Sequence, residues 1–281
     1  MAEAAKLRER RFEGSGVTIV GDEAGPVGGT PVIMLHGSGQ TRQAWSKALA
    51  EGARRGYHMI ALDMRGHGDT DWAPDADYLV SACAADLALV IEQLGCPPPV
   101  LVGASYGGMI ALHYAGEARP LKGLVMVDVA PMVEPEGAAR ISGFMRSAPQ
   151  GFANLEEAAD AVASYLPHRP RPKDNSGLMK NLRLRADGRL HWHWDPKVMN
   201  GDKSARYDLE SLRAAARSLE IPVLLVRGRL SDVLSPEGVK DFLSLCPRAE
   251  HVDIQDAEHM VAGDRNDAFN AAVFDFLERH S

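Results

Sequence analysis

Between residues 31 and 129 the chain alternates short apolar runs with longer segments of helical period, and this alternation constrains the fold more than any other feature. The runs are Pro31–Leu35, Met59–Leu62, Val100–Val102 and Leu124–Val129, all rich in Val, Ile, Leu and Met. The last three read as strands buried on both faces, the pattern of a parallel sheet. Gln43–Arg55 reads as a helix closed by Gly56. Leu79–Leu94 carries Leu79, Cys83, Leu87, Val90, Ile91 and Leu94 on one stripe, with Gly95 just past its end. Parallel strands need crossover connections, so the order predicts a doubly wound, mostly parallel α/β sheet. Ahead of it, Leu7–Phe12 and Val17–Val20 flank Glu13-Gly14-Ser15-Gly16, a hairpin signal that predicts an antiparallel start.

The alternation stops at Pro131. From there to Ser218 the chain reads as helical or irregular, with a Pro/Arg-rich stretch at Pro167–Pro172 and a helix start at Asn154, supported by Glu157 three residues on. The β/α pattern resumes with strands at Pro222–Val226 and His251–Ile254 and a last helix over Asn266–Arg279. This predicts a core of residues 1–130 and 219–281, interrupted by a mainly helical insertion, 131–218, lying over it as a cap. The 281 residues are enough to bury a core without staples. With 31 Lys+Arg against 38 Asp+Glu, the net charge of −7 argues against nucleic acid as partner. No apolar run approaches the length of a membrane helix or a signal-peptide core, so no membrane partner is expected. Cys83, Cys96 and Cys246 are scattered, which reads as reduced thiols in a cytoplasmic protein.

The chemistry concentrates at Gly103-Ala104-Ser105-Tyr106-Gly107, between the Val100–Val102 strand and an apolar helical segment. In that setting G-x-S-x-G is a nucleophile elbow: a strand-to-helix turn too tight for side chains at its glycines, which raises the serine oxygen above the sheet. The following helix aims its N-terminus, and hence partial positive charge, at the same place.

With these residues the chain resembles the α/β-hydrolase-fold superfamily, in its capped serine hydrolase branch, over nearly everything outside the insertion. His36-Gly37-Ser38-Gly39 is similar to the family's oxyanion loop, and Asp63-Met64-Arg65-Gly66-His67-Gly68 to its D-x-R-G-H-G turn. The resemblance implies an oxyanion hole from the backbone N–H groups of Ser38 and Tyr106, with His36 and His67 bracing turns. It also implies the chain order serine, acid, histidine. His259 then serves as base, because it lies in the loop after the last strand; His251 falls inside that strand and His280 at the terminus. For the acid, Asp232 leads, in Gly228-Arg229-Leu230-Ser231-Asp232 just beyond the Pro222–Val226 strand. Asp128 is its rival, since some branches of the family place the acid one strand earlier. A serine at the elbow, where haloalkane dehalogenases and epoxide hydrolases carry aspartate, implies an acyl-enzyme and a small-molecule acyl substrate.

His191-Trp192-His193-Trp194 alternates two imidazoles with two indoles, which in an extended segment face opposite sides. Without a third ligand nearby the histidines make a poor metal site. Trp192 and Trp194 are instead expected to pack the insertion onto the core or to line the substrate cleft, with His36 as a further pocket candidate. His168–Lys173 is expected to be a solvated loop, the alternative being a grip on an anionic substrate. Gly21–Gly29 lacks dinucleotide-binding spacing, so no cofactor is expected. The reading is a cofactor-independent ester hydrolase, with homodimerisation left open. Perhydrolase activity of the haloperoxidase type, carbon–carbon bond hydrolysis and slow-turnover ligand reception are the alternatives.

Overall fold

The computed structural model describes residues 7–167, 169, 171–172, 174–199 and 208–280. The chain opens with the hairpin β1 (Arg8–Glu13) and β2 (Thr18–Ala24), then runs β3 (Pro31–Leu35), α1 (Ser46–Arg54), β4 (His58–Leu62), α2 (Val80–Leu94), β5 (Val100–Ala104), α3 (Tyr106–Gly116) and β6 (Gly123–Val127). The insertion follows, with α4 (Pro135–Met145), α5 (Leu155–Tyr165), β7 (Leu182–Leu184) and β8 (Leu190–Trp192). The chain then continues through α6 (Leu209–Ser218), β9 (Val223–Gly228), α7 (Pro236–Leu245), β10 (Glu250–Ile254), α8 (Val261–Asp264) and α9 (Asn266–His280).

Eight strands form one sheet in the order β1-β2-β4-β3-β5-β6-β9-β10, antiparallel at β1–β2–β4 and parallel from β4 onward. The period of two in each central strand builds two cores. Val32 and Met34 of β3 face α1 and α9, joining Trp45, Leu49, Phe269 and Phe276. Ile33 and Leu35 face α2, α3, α6 and α7, joining Leu87, Ile110, Leu212 and Phe242. Because both faces are covered, the central strands carry no polar alternation. The outer strands β1 and β10 are more exposed and carry charges, which discourages edge pairing with another chain. Gly95 closes α2 in the left-handed conformation, and Asn154 caps α5 by accepting from the Glu157 N–H at 3.0 Å. Among the described residues, no helix is long and apolar enough to cross a membrane.

Two expectations for the insertion need correction. The segment contains a small β-hairpin, β7–β8, with Phe152 bridged to Leu190, where helix or irregular chain was expected; three-residue strands are too short to show a period. The boundary expected at residue 218 also moves back. Helix α6 does not lie over the pocket: it packs on α3, where a Cβ at Gly116 would come within 2.4 Å of the Ala215 Cβ. Leu212 and Ala216 are buried in the core that α2, α3 and α7 share. A stretch legible only as helical or irregular chain does not say which layer a helix there packs against.

Candidate active site

Strand β5 ends in the elbow. Gly103 and Gly107 are required by close approach: a Cβ on Gly103 would sit 2.4 Å from the Gly107 oxygen, and one on Gly107 2.5 Å from the Leu35 oxygen. Ser105 between them adopts φ 49°, ψ −118°, a backbone state rare for a residue with a side chain and typical of strain held at functional sites. The turn delivers the Ser105 hydroxyl to the carboxyl ends of the parallel strands, as the sequence predicts for an elbow.

His259 lies in the loop between β10 and α8. Its Nε2 is 3.0 Å from Ser105 Oγ. Its Nδ1 donates to Asp128 Oδ2 at 2.7 Å, which leaves Nε2 free of a proton and able to accept one from the serine. The loop is fixed from below: the Leu230 N–H donates to the Ala257 oxygen at 2.9 Å, and the Glu258 N–H to Asp264 Oδ2 at 3.1 Å.

The acid that reaches His259 is therefore Asp128, not Asp232. Asp128 follows β6, where φ 53° turns the chain out of the sheet, and its side chain is fully buried. Three donors converge on its carboxylate: His259 Nδ1, the Ser231 hydroxyl at 2.5 Å and the Gly228 N–H at 2.8 Å. Asp232 points away and is half exposed, and both its oxygens accept from Arg140 of α4, at 2.7 and 2.8 Å. In the loop where the acid was expected, Ser231 turns inward and Asp232 outward. The sequence did hold a signal. Asp128 is the one charged residue in Leu124–Ala130, and a buried charge without a partner is too costly to persist.

The expected oxyanion loop runs against the elbow; a Cβ on Gly37 would lie 3.3 Å from the Ser105 Cβ. The peptide that carries the Ser38 N–H also carries the Gly37 carbonyl, which accepts from His36 Nδ1 at 2.8 Å and from the Gln40 N–H at 3.1 Å. Both bonds orient and polarise that peptide. His36 completes its brace by accepting the Met64 N–H at Nε2, 3.1 Å away. Burial holds the His36 pKa below its usual value, so the ring is neutral. His36 is fully buried and does not line the cavity, so its expectation as a pocket residue is corrected to that of a brace under the loop. Tyr106 begins α3, and its side chain runs into the core, where its hydroxyl donates to the Tyr78 oxygen. Its backbone stays beside Ser105 at the helix N-terminus.

A cavity of about 510 Å³ opens on Ser105, His259 and Ser38, a usual size for a small-molecule site. The insertion supplies much of its wall, including Phe144, Met145 and Tyr165. Trp192 and Trp194 join them, stacked with ring centroids 5.0 Å apart. His191 and His193 serve separate partners, Asp187 and the Gly39/Gly68 backbone. Among the described residues no group of three or more His, Cys, Asp or Glu side chains is placed to hold a metal. Of the Pro/Arg-rich stretch, His168, Pro170 and Lys173 lie outside the described residues. Arg169 reaches the cavity wall while bonded to Asp264.

A sequence model of the alpha/beta hydrolase fold matches residues 30–265. The chain is 29% identical over 226 residues to an esterase of Mycobacterium tuberculosis, covering 78% of this chain and 72% of the relative. It is 27% identical over 256 residues to N-formylmaleamate deformylase of Pseudomonas putida, covering 89% of each. Among solved structures, E-2-(acetamidomethylene)succinate hydrolase superposes with a TM-score of 0.85 at 24% identity, over 97% of this chain and 100% of that one. At that identity the likeness speaks for the fold.

Proposed function

The chain belongs to the α/β-hydrolase fold family and is a hydrolase, and on that premise we propose that it cleaves a carboxylic ester or related acyl bond through an acyl-enzyme on Ser105. The observation that carries this reading is the continuous line from Ser105 Oγ through His259 to Asp128, with steps of 3.0 and 2.7 Å. Ser105 attacks the carbonyl carbon as His259 Nε2 takes its proton. Asp128 holds the tautomer and stabilises the imidazolium. The Ser38 and Tyr106 N–H groups receive the oxyanion, in a role where each donor is commonly worth about 2.7–4 kcal/mol. The imidazolium proton then passes to the departing oxygen and the alcohol leaves. His259 next deprotonates a water that attacks the acyl group, which releases the acid and restores Ser105.

The decisive variant is Ser105→Ala. It should abolish both p-nitrophenyl ester turnover and labelling by a serine-directed phosphonate; a variant that still takes up label sinks the assignment. The insertion acts as a cap, and its aromatic wall favours small lipophilic acyl groups.

A second observation favours one refinement. Lys47 and Lys180 line the cavity beside Arg169, whose charge Asp264 already pairs, and no Asp or Glu lines it among the described residues, in a chain whose net charge is −7. This suits a substrate with an anionic group near the rim. Comparing p-nitrophenyl butyrate with the p-nitrophenyl monoester of succinic acid should show kcat/KM about 3–10-fold higher for the anion at low salt, shrinking as screening sets in. Equal values at every ionic strength would remove the refinement.

A further inference from the structure

His193 belongs to the insertion; its ring meets the Trp194 ring edge-on, with centroids 5.2 Å apart, and is almost fully buried. Its Nδ1 accepts the Gly68 N–H at 2.7 Å, and its Nε2 faces the Gly39 carbonyl oxygen at 3.4 Å. On the other side of Gly39, the N–H donates to His67 Nε2 at 3.2 Å, while His67 Nδ1 donates to the Arg65 oxygen at 3.1 Å. One imidazole therefore holds each polar group of Gly39. The backbone favours glycine there, with φ at +73°, and the position packs in ordinary contact with Met145 and Trp194 of the insertion.

From Gly39 the bonds lead to the oxyanion donor in two steps. The Gly39 carbonyl shares a peptide plane with the Gln40 N–H, which donates to the Gly37 oxygen at 3.1 Å. That oxygen shares a plane with the Ser38 N–H. The Gln40 side chain closes the ring by accepting the Gly37 N–H at 3.0 Å. Turning the Gly39–Gln40 plane turns the Gly37–Ser38 plane with it.

We propose that His193 is a positioning residue, through which the cap sets the direction of the Ser38 N–H toward the oxyanion. The proposal rests on the acyl-transfer reading given above. Only a neutral imidazole can accept from Gly68 while donating to Gly39, and burial pushes the His193 pKa down to about 3, with the Arg183 charge acting in the same direction. The latch is thus constant across the working pH range. It makes the cap part of the catalytic geometry as well as a cover over the substrate.

The test compares His193→Ala, →Asn and →Gln. A glutamine amide nitrogen reaches the position of Nε2 and can keep the Gly39 contact; an asparagine amide reaches only the position of Nδ1 and keeps the Gly68 contact. With a p-nitrophenyl ester, the Ala and Asn variants should lose about 10–100-fold in kcat with KM little changed, because misplacing an oxyanion donor harms the transition state and not the bound ester. Inhibition by an aryl boronic acid, which binds as a tetrahedral anion, should weaken by a similar factor, and Gln should restore most of both. The acid limb of the rate profile should stay where it is in the wild type, since His193 does not titrate there.

Loss of folded protein with unchanged boronate affinity would reduce His193 to a structural residue and overturn the proposal, as would rescue by Asn instead of Gln. Wild-type protein that fails to take up a phosphonate at Ser105 would overturn the acyl-transfer reading itself. Labelled wild type with an indifferent His193 would overturn only the latch.

Discussion

Asp128→Asn is expected to lower kcat by about 10⁴-fold, as for a triad left with the wrong tautomer. Asp232→Asn should leave kcat within about 3-fold, the scale of an exposed ion pair. The difference follows from the donors around each carboxylate. Oδ1 of Asp128 accepts from the Gly228 N–H, a main-chain group that cannot turn away. An asparagine must place its carbonyl oxygen there, which puts its NH₂ where Oδ2 now faces His259 Nδ1. Two donors cannot share that contact, so the imidazole shifts its proton to Nε2, and Ser105 loses its acceptor. The loss should fall on kcat, with KM for a neutral ester nearly unmoved. Removing Asp232 frees Arg140 from its bidentate bond, but Arg140 keeps its stack on Tyr165 and neither group touches Ser105 or His259. Steady-state kinetics on the two variants, with melting curves to show that both are folded, decide the point. Collapse in Asp232→Asn with turnover retained in Asp128→Asn would return the acid role to Asp232.

The same contrast shows what the sequence could convey. The parallel sheet was legible because burial on both faces leaves Met59–Leu62 of β4, and β5 and β6, without polar side chains, a local property of composition. The elbow was legible because its glycines answer a local steric demand. Asp128 was legible as a lone charge in an apolar run but not as the acid, because β6 gives way to a left-handed turn at Asp128 with apolar residues on both sides, and neighbours of that kind look the same inside a strand and just past its end. The loop after β9 misled for a related reason: Ser231 and Asp232 are adjacent, and which one turns inward depends on Arg140 of α4, 92 residues away. The alternation of His191–Trp194 holds only to the end of β8 at Trp192, and the His193 ring packs edge-on against Trp194. It could not say that His193 meets Gly68 and Gly39, 125 and 154 residues distant, since tertiary partners leave no local period.

Arg65→Ala or Asp86→Ala is expected to destabilise the fold by about 3–5 kcal/mol, the range for breaking a buried ion pair by removing one partner. Arg65 lies in the turn after β4 and Asp86 on α2; both side chains are at least 95% buried. The guanidinium meets the carboxylate bidentately, Nε to Oδ2 at 2.6 Å and Nη2 to Oδ1 at 2.8 Å. Its remaining donors reach the Asp77 oxygen at 2.9 Å and the Ser15 oxygen at 3.2 Å, while Asp86 also accepts the Ser15 N–H at 2.8 Å. The pair therefore joins the β1–β2 hairpin, the turn after β4 and α2. Either single variant leaves a buried charge without its partner, and Tm should fall by on the order of 10 °C. Arg65→Met with Asp86→Leu should recover part of the loss, because it removes both charges together; recovery stays incomplete, since the Ser15 and Asp77 backbone groups then lack partners. A double-mutant cycle from urea unfolding measures the coupling. The Arg65 variant should also lose some kcat, because the Arg65 carbonyl holds His67 Nδ1 and His67 holds the Gly39 N–H. Single variants that melt with the wild type would show that water replaces the missing partner and that this pair does little to hold the turn.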